Sequence, residues 1–178
     1  MKRYVKVLFI CLGNICRSPM AHLYFADLIR KNHLEDKILV DSAATSYEEV
    51  GNPVYPGARK KLAEAGISCE GKYAKRMEPS DYQNFDLLVG MDQQNIRNIL
   101  RITGGDPDGK IYKMMDFAMD WEHPEQFRST DGNRAGKLGK QSPDVADPWY
   151  TGDFDTTWQD ITAGCAGLLK FLKKNYQI

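Results

Sequence analysis

At 178 residues and 42% hydrophobic content, the chain suits one globular domain with a substantial core, and two domains would be cramped. Lys and Arg equal Asp and Glu at 24 each, which excludes a net basic field for nucleic acid or an anionic membrane. Any anion the protein binds must be held locally. No apolar run approaches the ~18–20 residues of a membrane span, and MKRYVKVLFI lacks the longer apolar stretch and cleavage site of a signal peptide. A soluble cytoplasmic protein is expected, with Cys11, Cys16, Cys69 and Cys165 as reduced thiols rather than a disulfide framework.

In chain order, YVKVLFI (4–10) predicts a strand that runs into the loop CLGNICRSP (11–19). Met20, Tyr24, Phe25, Leu28 and Ile29 fall on one face of a helix over 19–31, with Asp27, Arg30 and Lys31 opposite. KILVDS (37–42) predicts a second strand, and 53–66 a helix that starts at Pro53 and stops at Gly66. FDLLVGM (85–91) predicts a third strand; Asp92 then caps a helix over 93–101 that ends before Gly104-Gly105. KIYKMMDF (110–117) predicts the fourth strand. Residues 118–146 are rich in Gly, Pro and charge and predict one long inserted loop, beyond the usual ~12–15 residues and so either functional or poorly ordered. Phe154, Trp158, Ile161, Cys165, Leu168 and Leu172 recur at helical spacing in the last segment. Strands alternating with helices give an α/β parallel sheet covered on both faces, with ligands beyond the carboxyl ends of the strands.

The 11–17 loop carries the chemistry. Between a strand and a helix start, it presents successive backbone N–H groups and the positive helix end to one point, which makes an anion site. Gly13 and Asn14 tolerate the left-handed backbone such a loop needs, and Arg17 offers a planar fork for two phosphate oxygens. A thiolate at Cys11 is favoured there, which makes it a nucleophile aimed at phosphorus. Ser18 can donate to that thiolate, cap the helix opened by Pro19, or both.

These motifs, with DSAATS (41–46), GNP (51–53), MDQQN (91–95) and DPWYTGDF (147–154), resemble the low-molecular-weight protein tyrosine phosphatase family. The likeness covers most of the chain in the right order and leaves 118–146 outside it. It implies a four-stranded parallel sheet flanked by helices, a flavodoxin-like three-layer sandwich, and a metal-free, cofactor-free, two-step hydrolysis of phosphotyrosine. By motif position, Cys11 is the nucleophile. The backbone of Leu12, Gly13, Asn14, Ile15, Cys16 and Arg17, with Ser18, surrounds the phosphate, and Ser18 also stabilises the leaving thiolate. Asn14, Ser18 and Ser42 form the loop scaffold, and Asp147 donates the proton. A substrate pocket of Ile15, Tyr47, Glu48, Trp149 and Tyr150 is expected. Tyrosine-phosphorylated protein or peptide is the implied partner and inorganic phosphate the product, with neither nucleic acid nor membrane involved. Many members carry a His near 67–76 that steadies the loop, where this chain has Gly71 and Lys72.

Asp147 also follows from chemistry. Expelling a phenolate is helped by a proton at the bridging oxygen, and the second step needs a base for water; one carboxyl group can do both. Asp153 and Asp155 compete for this role, although they stand just before the last helix, where capping explains them better. Cys16 reads equally as a core residue or a redox partner, and Trp149 and Tyr150 as slot walls or core aromatics. His22, His33 and His123 are scattered and read as surface or structural, without metal-ligand spacing. Two related chemistries compete with phosphotyrosine. An arsenate reductase needs a further redox pair where Cys69 stands alone, and an arginine phosphatase typically has Thr where this chain has Ile15.

Overall fold

The computed structural model describes residues 3–128 and 141–178. Four strands, β1 (Val5–Cys11), β2 (Ile38–Ala44), β3 (Leu87–Gly90) and β4 (Ile111–Lys113), form one parallel sheet in the order β2-β1-β3-β4. The helices are α1 (Arg17–Lys31), α2 (Pro56–Glu64), α3 (Asp81–Asn84), α4 (Gln93–Thr103), α5 (Met114–Met119), α6 (Pro148–Thr151) and α7 (Phe154–Tyr176). Among the described residues no helix is long and apolar enough to cross a membrane.

The alternation along β1 explains the layers. Val5, Val7, Phe9 and Cys11 face one core with Phe25, Leu62, Phe117 and Leu168, whereas Leu8 and Ile10 face a second with Tyr82, Ile96 and Ile99. A strand flanked on both edges and buried on both faces must be apolar on both, which is why VLFI reads as a continuous run. Chain order reverses between β1 and β3: the β1 crossover leads to β2 on one side, and β3 and β4 lie on the other. The loops after β1 and β3 therefore splay apart and open a crevice at the carboxyl end of the sheet.

Three boundaries differ from the sequence expectations. The run KIYKMMDF is not all strand: β4 stops at Lys113 because the Asp116 carboxylate accepts the Lys113 N–H at 2.8 Å and starts α5 at Met114. Pro53 does not open α2, since it forms an isolated bridge with Tyr73, and Pro56 takes the first helical position instead. The expected loop 118–146 is not irregular throughout its described residues. Ala118 and Met119 complete α5, a 3-10 turn occupies Pro124–Phe127, and Ser142 and Val145 are buried. The middle of the expected insertion, 129–140, lies outside the described residues.

Helices α5 and α7 cross closely because α7 presents Gly164 and Gly167 to α5. A Cβ at Gly167 would overlap the Phe117 carbonyl oxygen, and one at Gly164 the Met114 side chain. Backbone cannot move aside as a side-chain end can. Gly167→Ala is therefore expected to destabilise the protein by about 1–3 kcal/mol, against the gain Ala brings to an open helix. Chemical denaturation of the two proteins measures this, and a more stable variant would contradict the close crossing.

Candidate active site

The loop from Cys11 to Arg17 leaves the carboxyl end of β1 at the crevice. Asn14 has φ 59°, a left-handed conformation that Asn tolerates, and this turn brings its N–H to 3.3 Å from the Cys11 sulfur. The Ser18 hydroxyl lies 3.0 Å from the same sulfur. Asn14 Nδ2 donates to Ser18 Oγ at 2.7 Å, which leaves the serine O–H directed at Cys11. The Asn14 amide is itself oriented, because its Oδ1 accepts from Lys75 N–H at 3.2 Å and Lys72 Nζ at 3.0 Å. Lys72 thus supports the loop through the Asn14 side chain. The result is one directed chain, Lys72 to Asn14 to Ser18 to Cys11, ending in a donor suited to a thiolate.

Arg17, 2% exposed, closes the other side. Its NH1 donates to Asp92 Oδ2 at 2.7 Å and to the Val145 carbonyl at 2.9 Å, and its NH2 to Asp147 Oδ2 at 3.3 Å. Burial by itself lowers the Arg17 pKa, but the charges of Cys11, Asp92 and Asp147 reverse this and raise it, so the guanidinium is held charged. Asp92 does double service: Oδ1 caps α4 through Asn95 N–H at 2.7 Å while Oδ2 holds the arginine. Sequence reasoning found only the cap.

Cys11, Arg17 and Asp147 line one cavity of about 620 Å³, open mouth included. Its walls bring together Ile15, Glu48, Trp149 and Tyr150, with Leu12, Gly13 and Cys16 below. Trp149 and Tyr150 are 55% and 80% exposed, so they are not core aromatics; Trp149 leans edge-on against Tyr55 at 5.1 Å. Tyr47 is not among the wall residues. Its ring instead carries the Arg76 guanidinium at 4.2 Å, and Glu49, unmarked by any sequence signal, lines the cavity beside Glu48. Asp153 and Asp155 are engaged elsewhere. The first caps α7 through Thr156 N–H at 3.0 Å, and the second pairs with Lys61 at 2.6 Å. Cys16 is buried, and its pKa is pushed up to about 12 by burial first, then by the negative charges of Cys11 and Asp147. It is a thiol at neutral pH. Among the described residues no His, Cys, Asp and Glu gather into a group able to hold a metal.

Ser42 is placed differently from the implied scaffold. It pairs with Phe9 across β1 and β2, hence on the face covered by α1, and its hydroxyl meets His22 Nδ1 at 2.9 Å. His22, in the second turn of α1, also senses Lys72, Lys75 and Asp41, with Lys75 ion-paired to Asp41.

Cys11, the buried Arg17 and Asp147 are thus gathered beyond the carboxyl end of a parallel sheet in an α/β fold. The family model for low molecular weight phosphotyrosine protein phosphatase matches residues 6–178, through the 118–146 segment that the sequence motifs left outside. The chain belongs to this family, an enzyme class that hydrolyses phosphoric monoesters. A Bacillus subtilis (strain 168) relative, low molecular weight protein-tyrosine-phosphatase YfkJ, is 36% identical over 174 residues, covering 98% of this chain and 99% of its own. The crystal structure of YfkJ gives a TM-score of 0.81 over 97% of this chain and 96% of that one. SP-PTP, a low molecular weight protein tyrosine phosphatase from Streptococcus pyogenes, is 31% identical, with a TM-score of 0.71 over 96% and 93%.

His22 gives a pH prediction. Burial first, then the Lys72 charge, lower its pKa from 6.5 to about 4. The unfolded chain therefore takes up the proton first, so this contribution is complete above about pH 6.5 and is lost as pH falls toward about 4. His22→Gln, which can still bond Ser42, is expected to lose less stability than the parent between about pH 7 and about pH 4.5. Equal losses in denaturant titrations at both pH values would contradict a buried neutral imidazole.

Proposed function

We propose that the protein hydrolyses phosphotyrosine in proteins or peptides through a phosphocysteine intermediate on Cys11. The observation that carries this reading is the Cys11 sulfur, faced by Ser18 Oγ and Asn14 N–H, in one cavity with Arg17 and Asp147. In the first step the thiolate attacks phosphorus, the S–P bond forms and the P–O bond to the phenol breaks. Asp147 gives its proton to the departing oxygen. Water then attacks phosphorus from the same side, Asp147 takes its proton, the S–P bond breaks, and inorganic phosphate leaves with the thiolate restored. The backbone of Leu12, Gly13, Asn14, Ile15 and Cys16 and the NH2 edge of Arg17 hold the phosphate oxygens.

The arrangement of Arg17 supports this sequence of events. NH1 is anchored to Asp92 and Val145 O, while the longer NH2 contact to Asp147 is the one an arriving phosphate replaces. The exchange frees the Asp147 carboxyl for the bridging oxygen. Ile15, Trp149 and Tyr150 give an aryl group apolar walls, and Ile15 offers a guanidinium no polar partner, which favours phosphotyrosine over phosphoarginine. Glu48 and Glu49 at the rim disfavour acidic residues flanking the phosphotyrosine. This reaction calls for no cofactor.

Asp147→Asn tests the acid directly. Its rate on phosphotyrosine is expected to fall on the order of 10²–10⁴-fold, and the loss to shrink as the leaving phenol becomes more acidic. Single-turnover rates across substituted aryl phosphates measure the trend. A uniform loss for every leaving group would reduce Asp147 to a shaping residue, and faster turnover of phosphoarginine than phosphotyrosine by the parent would overturn the substrate.

A further inference from the structure

Lysine is almost never fully buried unless its charge is met, because removing an ammonium from water costs several kcal/mol. Lys113 at the end of β4 is 2% exposed. Its Nζ donates to the Ser142 carbonyl at 2.6 Å and to Asp144 Oδ1 at 2.9 Å. A third bond runs alongside, from Ser142 Oγ to Asp116 Oδ1 at 2.6 Å. Asp116 in turn accepts the Lys113 N–H, so strand end, helix start and the 142–144 segment are tied into one knot.

The knot lies directly upstream of the catalytic carboxylate. Beyond Asp144, Val145 N–H donates to Met91 O at 2.9 Å and Val145 O receives Arg17 NH1, after which Thr157 Oγ1 holds Ala146 O at 3.0 Å. Asp147 follows at once. Asp144 Oδ1 also accepts Gln93 N–H at 3.0 Å, from the residue next to Asp92. One carboxylate oxygen therefore joins the segment carrying Asp147 to the helix start carrying the Arg17 anchor. Lys113, Ser142 and Asp144 are not among the residues that line the cavity.

We infer that Lys113, through Ser142 and Asp144, is a positioning residue for proton transfer: it sets the height of Asp147 above the phosphate loop. An ammonium suits the task because it donates to two acceptors in different directions, whereas an apolar residue at the end of β4 would leave the Ser142 carbonyl and Asp144 to find water. Small misplacements are costly in this geometry, since proton delivery depends on reach to one bridging oxygen. The inference rests on the acid role of Asp147 proposed above.

The test compares Lys113→Met with the parent on phosphotyrosine and on an activated aryl phosphate, each also in an Asp147→Asn background. Lys113→Met is expected to lose about 10- to 100-fold on phosphotyrosine and far less on the activated ester. In the Asp147→Asn background it is expected to lose nothing further, because the group it positions is gone. A loss equal for both esters, or one that multiplies with Asp147→Asn, would overturn the inference and leave Lys113 a packing residue. Asp144→Ala, at a half-exposed position, removes the oxygen that receives both Lys113 and Gln93 and carries the same test if Lys113→Met does not fold. A uniform loss in Asp147→Asn alone would overturn the acid role first, and the inference with it.

Discussion

A buried guanidinium organises this molecule. Arg17 is nearly sealed from solvent, and a charge in that position must be compensated from fixed directions or the fold is penalised by several kcal/mol. Compensation comes from Asp92 after β3 and from Val145 O and Asp147 beyond β4. Two chain segments far apart in sequence are thereby drawn to the loop after β1, at the point where the sheet order reverses. The crevice that the topology opens is the one that the arginine fills.

Around that charge the two cysteines of the loop are treated differently. Cys11 receives Ser18 and Asn14, the side chains of which continue a chain of donors that begins at Lys72. Cys16 is buried among negative charges and held as a thiol. The difference arises from which donors each sulfur meets, within the same short loop. Lys72 is itself half-buried, and burial lowers its pKa, while the charges of Asp41 and Cys11 favour its ammonium. A lysine therefore brings to the support of Asn14 a positive charge as well as a donor.

Much of this was legible in the sequence, and the reasons are local. The apolar run of β1, the Gly13-Asn14 turn and the cap Asp92 act over a few residues, and short-range rules read them well, whereas α1 opens at Arg17, two residues before Pro19. Other features depend on contacts across the chain. Lys72 meets Asn14 across 58 positions, and no pattern in GKYAKR announces that meeting. Nothing in KIYKMMDF singles out Lys113, because periodicity assigns charges to the surface and cannot see Ser142 and Asp144 arriving from later in the chain. The cap by Asp116 overrode the strand pattern of KIYKMMDF for a local reason that the alternation concealed. Tyr47 was placed on the pocket wall from its position beside Glu48, yet Arg76 holds the ring elsewhere.

The central claim is that the sulfur of Cys11 itself takes up the phosphoryl group. Rapid acid quenching of the protein during turnover of a labelled tyrosine phosphopeptide, followed by peptide mapping, tests it most directly. The account predicts a transient phosphoryl adduct on the peptide containing Cys11, assigned to that sulfur and formed no more slowly than product appears. A phosphoryl group on another residue, or product released with no covalent adduct at any time during the first turnover, would contradict it.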